Sequence, residues 1–413
     1  MRYNMICLLL AVAFSGIAQK NVLEDIIKEN QHTFGEWVND PAAYDIQVLY
    51  TRIDRDADGQ PHFTTYRFGV DPNTYFYPAS TVKMPTALLA LEKINELGID
   101  GLDKHTPMQN LAGRAPQTAA LSDTSAANGL PSVGHYVRKI FLTSDNDAHN
   151  RLYEFLGQAW INERLHAKGL TESRIIHRLS VSGYDTLGNR YTNPVAFYND
   201  QGMCYYQGEG YSRFYDDLGL SGQLKGVAYI NDNEERIAAP FDFRYKNFLS
   251  IQDLNDMLRA LIFPQSVAPT QRFKFTEDDY RFVYKAMAQF PRESDYPRYQ
   301  KPDNYVKFWM YGDEMDENFQ MPSNVRILNK VGWAYGYLTD AAYIVDTAAG
   351  VEFMLTGTIL VNKNQTFNDG EYEYESVGLP FFGALGRAVY EHELARKRKH
   401  PADVQWVKEL LAE

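Results

Sequence analysis

The 413-residue sequence predicts an α/β fold of the α+β kind: an antiparallel sheet flanked by helices, plus a mostly helical lobe. Three observations lead there. Residues 44–53 and 62–68 alternate apolar and polar side chains, as half-buried strands do. Three more strand patterns lie far downstream, at 326–331, 337–345 and 351–360. Almost everything between the two sets carries helical spacing. The early pair must therefore join the late meander in one sheet, with the terminal helices on one face and the middle helices on the other, forming a second lobe.

Taken in order, residues 21–38 read as a helix through Val22, Ile26, Ile27, Phe34 and Trp37. The stretch joining the first two strands begins Asp54-Arg55-Asp56-Ala57-Asp58-Gly59. It resembles the start of a calcium loop, but its twelfth position is Thr65 where such loops need a glutamate, so a hairpin tip is the better account. Residues 77–98 form a helix ended by Gly98. Residues 99–131 are loop-rich. Residues 133–168 are helical in pieces, broken at Thr143-Ser144 and at Gly157. Residues 184–247, rich in Gly, Tyr, Asn and Asp, read as an insertion of short strands and loops. Helices return at 250–262 and 277–290, and two more close the chain at about 377–397 and 402–412.

The amino terminus is read as a signal peptide, residues 1–19: a cationic start, an apolar run over 5–14, and small residues before Gln19. The run is too short for a membrane anchor. The rest, 20–413, is read as one domain, soluble and exported to the periplasm or outside. Removing the signal removes Cys7 and leaves Cys204 alone, so no intrachain disulfide can form. A formal net charge of -12 argues against nucleic acid and anionic membrane as partners. The basic run Arg396 to His400 reads as a solvated helix end.

Three short motifs carry chemistry. Ser80 and Lys83 share a helix face at the start of residues 77–98. There the Ser80 N–H is an unsatisfied helix donor able to face an oxyanion, and Lys83 can reach the hydroxyl. Lysine is a base only when neutral, which burial and a second cation would favour. About one such pair is expected by chance in a chain this long, so the motif is weak alone. Next, Ser144-Asp145-Asn146 sits where two helical pieces meet; Ser144 could relay a proton and Asn146 could hold a substrate amide, although all three residues also cap helices. Last, Lys330-Val331-Gly332 ends a strand. Lys330 could supply the second cation and bind a carboxylate, Gly332 allows close approach, and the Trp333 N–H could be a second oxyanion donor. An ordinary strand-end lysine and turn glycine are the plainer alternative.

Together and in this order, the motifs resemble those of the class A β-lactamase branch of the penicillin-recognising serine hydrolases. The resemblance covers roughly residues 21–180 and 250–395, and it implies a β-lactamase/transpeptidase-like fold. It makes Ser80 the nucleophile, Lys83 its general base, Ser144 the proton shuttle, and Asn146 and Lys330 substrate-binding residues. The implied partner is a β-lactam or cell-wall peptide, with no metal or other cofactor. The nine histidines show no paired zinc-ligand spacing.

Two departures qualify that picture. The middle of the third motif is Val331, where the family has Thr or Ser. The family's Glu-x-x-Asn segment, whose Glu activates the deacylating water, aligns with residues 173–182, and Ser180 falls near the Glu position. Arg178 matches the arginine before that Glu. Asp185 is out of register, and His177 is read as packed, with a substitute base as its second reading. The sequence therefore predicts that Ser80 acylates but that penicillin turnover is poor. A D-alanyl-D-alanine carboxypeptidase or another amidase or esterase competes with β-lactamase, and a non-catalytic covalent penicillin-binding module is the reading of another class. The insertion at 184–247 is a candidate wall or lid of the cleft.

Overall fold

The computed structural model describes residues 21–412; the expected signal peptide lies outside the described residues. The central sheet has five strands: β1 (Gln47–Arg55), β2 (Pro61–Phe68), β3 (Val325–Ala334), β4 (Tyr337–Asp346) and β5 (Val351–Leu360). Their order is β3-β4-β5-β1-β2, antiparallel throughout, so the early hairpin joins the late meander through β1 and β5. The β1–β2 hairpin turns at residues 56–60. Asp56 Oδ1 accepts the N–H groups of Asp58 (3.0 Å) and Gln60 (2.9 Å), so this acidic stretch serves as a turn.

Period-two alternation gives the sheet two cores. Val48 and Tyr50 of β1 face one, Leu49 and Ile53 the other. The first core is covered by α1 (Val22–Glu29) and α8 (Leu379–Ala395). On the other face, α6 (Ile251–Ile262) packs on the sheet. The helical lobe is built from α2 (Lys83–Leu97), α3 (Val133–Thr143), α4 (Asn146–Leu156), α5 (Gln158–Ala167) and α7 (Glu277–Ala288).

Several boundaries differ from expectation. The first helix stops at Glu29, because Asn30 turns its side chain back onto the Ile26 carbonyl (2.9 Å); Phe34 and Trp37 are buried by turns instead. The last helix, α9 (Gln405–Ala412), does not join α8 on its face. It packs with α7 on the opposite side, where the Trp406 ring meets Tyr284 (5.2 Å) and Tyr343 (6.4 Å). The basic run is a solvated end only in part, with Lys397 and Lys399 exposed. Arg396 and Arg398 turn inward and bracket the fully buried Glu393, which also receives the Tyr50 hydroxyl. The buried carboxylate, which periodicity cannot reveal, decides where these arginines go.

Residues 184–247 form short strands stitched to the body. Val195–Asn199 pairs with Met108–Asn110, and Ala228–Ile230 pairs with Thr366–Phe367 beyond β5. Just after them, Phe248–Leu249 pairs with Ser173–Arg174.

Candidate active site

The segment before α2 makes a tight 3₁₀ turn, Ala79–Val82, and Ser80 sits inside it. Ala79 is left-handed at φ 46°, which throws the turn sharply toward β3. Ser80 therefore stands just ahead of α2 and caps nothing: among the described residues its hydroxyl makes no hydrogen bond. It is half-buried and faces a cavity of about 1120 Å³ between the sheet edge, the helical lobe and the insertion.

Lys83 begins α2 and is wholly buried. Its Nζ donates to Asn146 Oδ1 (2.6 Å), to the Ser144 carbonyl, and toward Ser144 Oγ (3.3 Å). Burial pushes its pKa down to about 7, opposed by Asp145. Ser144 closes α3 in a left-handed conformation at φ 57°, and Asp145 caps α4 by accepting from the Ala148 N–H (2.8 Å). The cap reading of this motif thus holds for Asp145, while Ser144 and Asn146 are free to face the cavity.

Lys330 lies on β3, the edge strand, which runs on to Ala334 rather than ending at Gly332. Its Nζ donates to Ser144 Oγ (2.8 Å) and to the Val331 carbonyl (2.7 Å). The expected effect of a second cation falls on this residue: burial and then Lys83 push the Lys330 pKa well down. The Ser144 hydroxyl thus bridges two amines that cannot cheaply both be charged. The Val331 side chain belongs to the core under α8, so an apolar residue is accommodated at mid-motif. Gly332 lies against the Ser80 turn. Trp333 is half exposed, its ring stacked near Phe308 (6.0 Å) and Tyr374 (5.6 Å).

The β3–β4 turn is Tyr335-Gly336, both at positive φ, as a two-residue hairpin of this twist requires. The Tyr335 ring packs edge-on to Tyr77 (5.1 Å) and to Phe243 (5.6 Å) of the insertion, while Gly336 N–H donates to the Tyr374 hydroxyl (2.8 Å). The insertion therefore walls the cavity, with Phe214, Tyr215 and Tyr245 among its lining residues. Four of the ten non-glycine residues at positive φ among the described residues line this cavity: Ala79, Ser144, Ser180 and Tyr335. Such concentrated strain marks functional sites.

All seven sequence-predicted site residues meet at this place. Ser80, Ser144, Asn146, Gly332 and Trp333 line the cavity, and Lys83 and Lys330 lie directly behind Ser144. A family model described as the beta-lactamase enzyme family matches residues 20–277. The chain belongs to that family. Its sheet and helical lobe form the β-lactamase/transpeptidase-like fold. Solved structures similar to it include the beta-lactamase of Sphaerobacter thermophilus DSM 20745 (12% identity, 92% of this chain and 98% of that chain, TM-score 0.47). The beta-lactamase of Desulfarculus baarsii DSM 2075 is similar as well (12% identity, 91% and 98%, TM-score 0.47), as is PBP-A (14% identity, 89% and 95%, TM-score 0.47). No curated protein matches.

Where this β-lactamase-family chain departs from the family pattern, the backbone is still held. Asn150 brackets Leu179, donating to its carbonyl (2.9 Å) and accepting its N–H (2.8 Å), and so presents Ser180 at the cavity. Arg178 anchors the same stretch through Glu154 (3.2 Å) and the Tyr191 carbonyl (3.0 Å). Sequence reading passed over Lys307 and Asp340, which share Asn329 behind Lys330. It also passed over the fully buried His149, whose ring lies among Lys83, Lys330 and His177. Isolated polar residues inside apolar runs were the only signal for them.

Proposed function

We propose that the chain is an exported serine hydrolase, working in the periplasm or outside the cell, that forms an acyl-enzyme on Ser80 with β-lactams or related amides. The observation that carries this reading is the buried, depressed Lys83 amine sharing the Ser144 hydroxyl with Lys330. Neutral Lys83 takes the Ser80 proton as Oγ bonds the substrate carbonyl carbon. As the C–N bond breaks, the proton passes through Ser144 to the leaving nitrogen. The N–H groups of Ser80 and Trp333 hold the oxyanion, Asn146 holds the substrate amide, and Lys330 attracts a carboxylate. None of these steps calls for a metal or other cofactor.

Ser180 in place of a glutamate supports slow deacylation, so penicillin turnover is poor. The same observation favours a second reading, a D-alanyl-D-alanine carboxypeptidase or other amidase or esterase that β-lactams trap. A module that binds penicillin covalently without turning over any substrate is the remaining alternative. Incubation with a labelled penicillin, read by intact mass, tests all three. A long-lived adduct on the native protein and none on Ser80→Ala is expected. No adduct, or equal labelling of the variant, removes the acyl-enzyme; rapid steady hydrolysis removes the slow-deacylation half; and release of D-alanine from a D-Ala-D-Ala peptide selects the carboxypeptidase.

A further inference from the structure

Gly332 lies against the Ser80 turn, so it marks the level of Ser80 along β3. Lys330 stands two residues before it. The Tyr335 turn comes three residues after it, roughly 10 Å further along at the rise of a strand. An amide that gives a carboxylate to Lys330 therefore extends its acyl part past Ser80 toward Tyr335. What waits there comes from the insertion. Lys246 lines the cavity and lays its Nζ over the rings of Tyr335 (5.7 Å) and Phe241 (5.8 Å). The residue is half-buried, and its Nζ is not sealed from solvent. Among the described residues that Nζ has neither a hydrogen-bond acceptor nor a carboxylate partner, whereas the adjacent Arg244 pairs with Asp242 (2.7 Å). The wall carboxylates Asp216 and Asp217 are turned onto the N–H groups of Leu218 (2.9 Å) and Gly219 (3.1 Å). The backbone under Lys246 is fixed. Its N–H donates to the Phe243 carbonyl (3.0 Å), its carbonyl accepts from Arg174 (3.2 Å), and Asn247 accepts the N–H groups of Ile176 (2.7 Å) and His177 (3.1 Å). An unpaired ammonium against aromatic faces has shed part of its hydration, so an anion arriving there gains more than it would in open water.

We propose that Lys246, seated on Tyr335 and Phe241, is the receptor for an anionic group on the acyl side of the substrate. The preferred substrate class is then an amide with a carboxylate on each side of the scissile bond, one toward Lys330 and one toward Lys246, as an acidic peptide offers. This rests on the Ser80 acyl-enzyme proposed above and on Lys330 as the partner of the other carboxylate. It gives the insertion a part in selecting the substrate, beyond walling the cavity.

Two penicillins separate charge from shape: one whose side chain is an adipoyl group ending in a carboxylate, and one in which that carboxylate is replaced by a carboxamide. The full chain is labelled with each, and the ratio of the two labelling rates is read by intact mass. The native protein should favour the carboxylate about fivefold, and the preference should fade in high salt. Lys246→Ala should label at equal rates with both, and Lys246→Glu should favour the carboxamide. The ratio cancels any general loss of folded protein. Equal rates on the native protein, or a preference that survives in Lys246→Ala, overturn the assignment and leave the Ser80 acyl-enzyme standing. No adduct from either penicillin on the native protein overturns the Ser80 reading itself, and this one with it.

Discussion

A Cβ on Gly332 would stand 2.8 Å from the backbone nitrogen of Ser80 and 2.5 Å from the Pro78 carbonyl oxygen. The edge strand and the Ser80 turn are thus in backbone contact, with no room for a side chain between them. The opposing atoms are backbone on both sides, so nothing flexible can yield. Gly332→Ala should push β3 off the turn, costing about 1–3 kcal/mol of stability. It should lower Ser80 acylation about a hundredfold by displacing the oxyanion donors. Thermal unfolding and the rate of penicillin labelling check the two effects separately.

With Lys83 as the proposed base, its titration should set the pH dependence of acylation. With its pKa lowered to about 7, the amine is protonated and inert as a base below that pH, so the acylation rate should climb with pH through a midpoint near 7. A flat profile between pH 5 and 9 would contradict this.

The same burial costs stability. The folded-state pKa of Lys83 lies below the unfolded value of 10.5, so between the two the unfolded chain binds more protons. Stability attributable to this residue therefore rises as pH rises from about 7 toward 10.5, and the penalty is full below 7. Lys83→Met should abolish acylation and raise stability at neutral pH by about 1–2 kcal/mol, as trades between activity and stability do. Calorimetry at pH 6 and pH 9.5 should show the larger gain at pH 6.

Lys330→Ala removes the 2.8 Å donor to Ser144 and the proposed partner of a substrate carboxylate. Because burial and then Lys83 push the Lys330 pKa down, an arriving carboxylate should favour its charged form. The variant should therefore lose about tenfold or more in acylation by penicillins, and clearly less with a simple ester lacking a carboxylate. Paired rate measurements on the two substrates decide the point.

Far from the cleft, Glu393 holds Arg396 at 2.9 Å and also pairs with Arg398 and Tyr50, with no exposure to solvent. Glu393→Gln leaves Arg398 without a carboxylate and Arg396 with Asp54 alone, and should destabilise by about 3 kcal/mol. Denaturant unfolding measures the loss, and penicillin acylation at low temperature should stay near native.

The sequence by itself determined the strand and helix order, the helix breaks at Thr143-Ser144 and Gly157, and the seven residues that gather at the cleft. The elements are local, written into neighbouring residues by period two, period 3.6 and caps, while the site residues stood out only through the order of three short motifs and the family they resemble. Tertiary structure alone decided the rest. It turned Arg396 and Arg398 inward onto Glu393, carried α9 across to α7, set Gly332 against the Ser80 turn, and made the cation effect fall on Lys330 instead of Lys83. It also buried His177 Nε2 without a hydrogen-bond partner. These depend on which distant residues share a desolvated space, and the free energy of a buried charge or an unpaired lone pair is set by those neighbours, not by the residue's place in the chain.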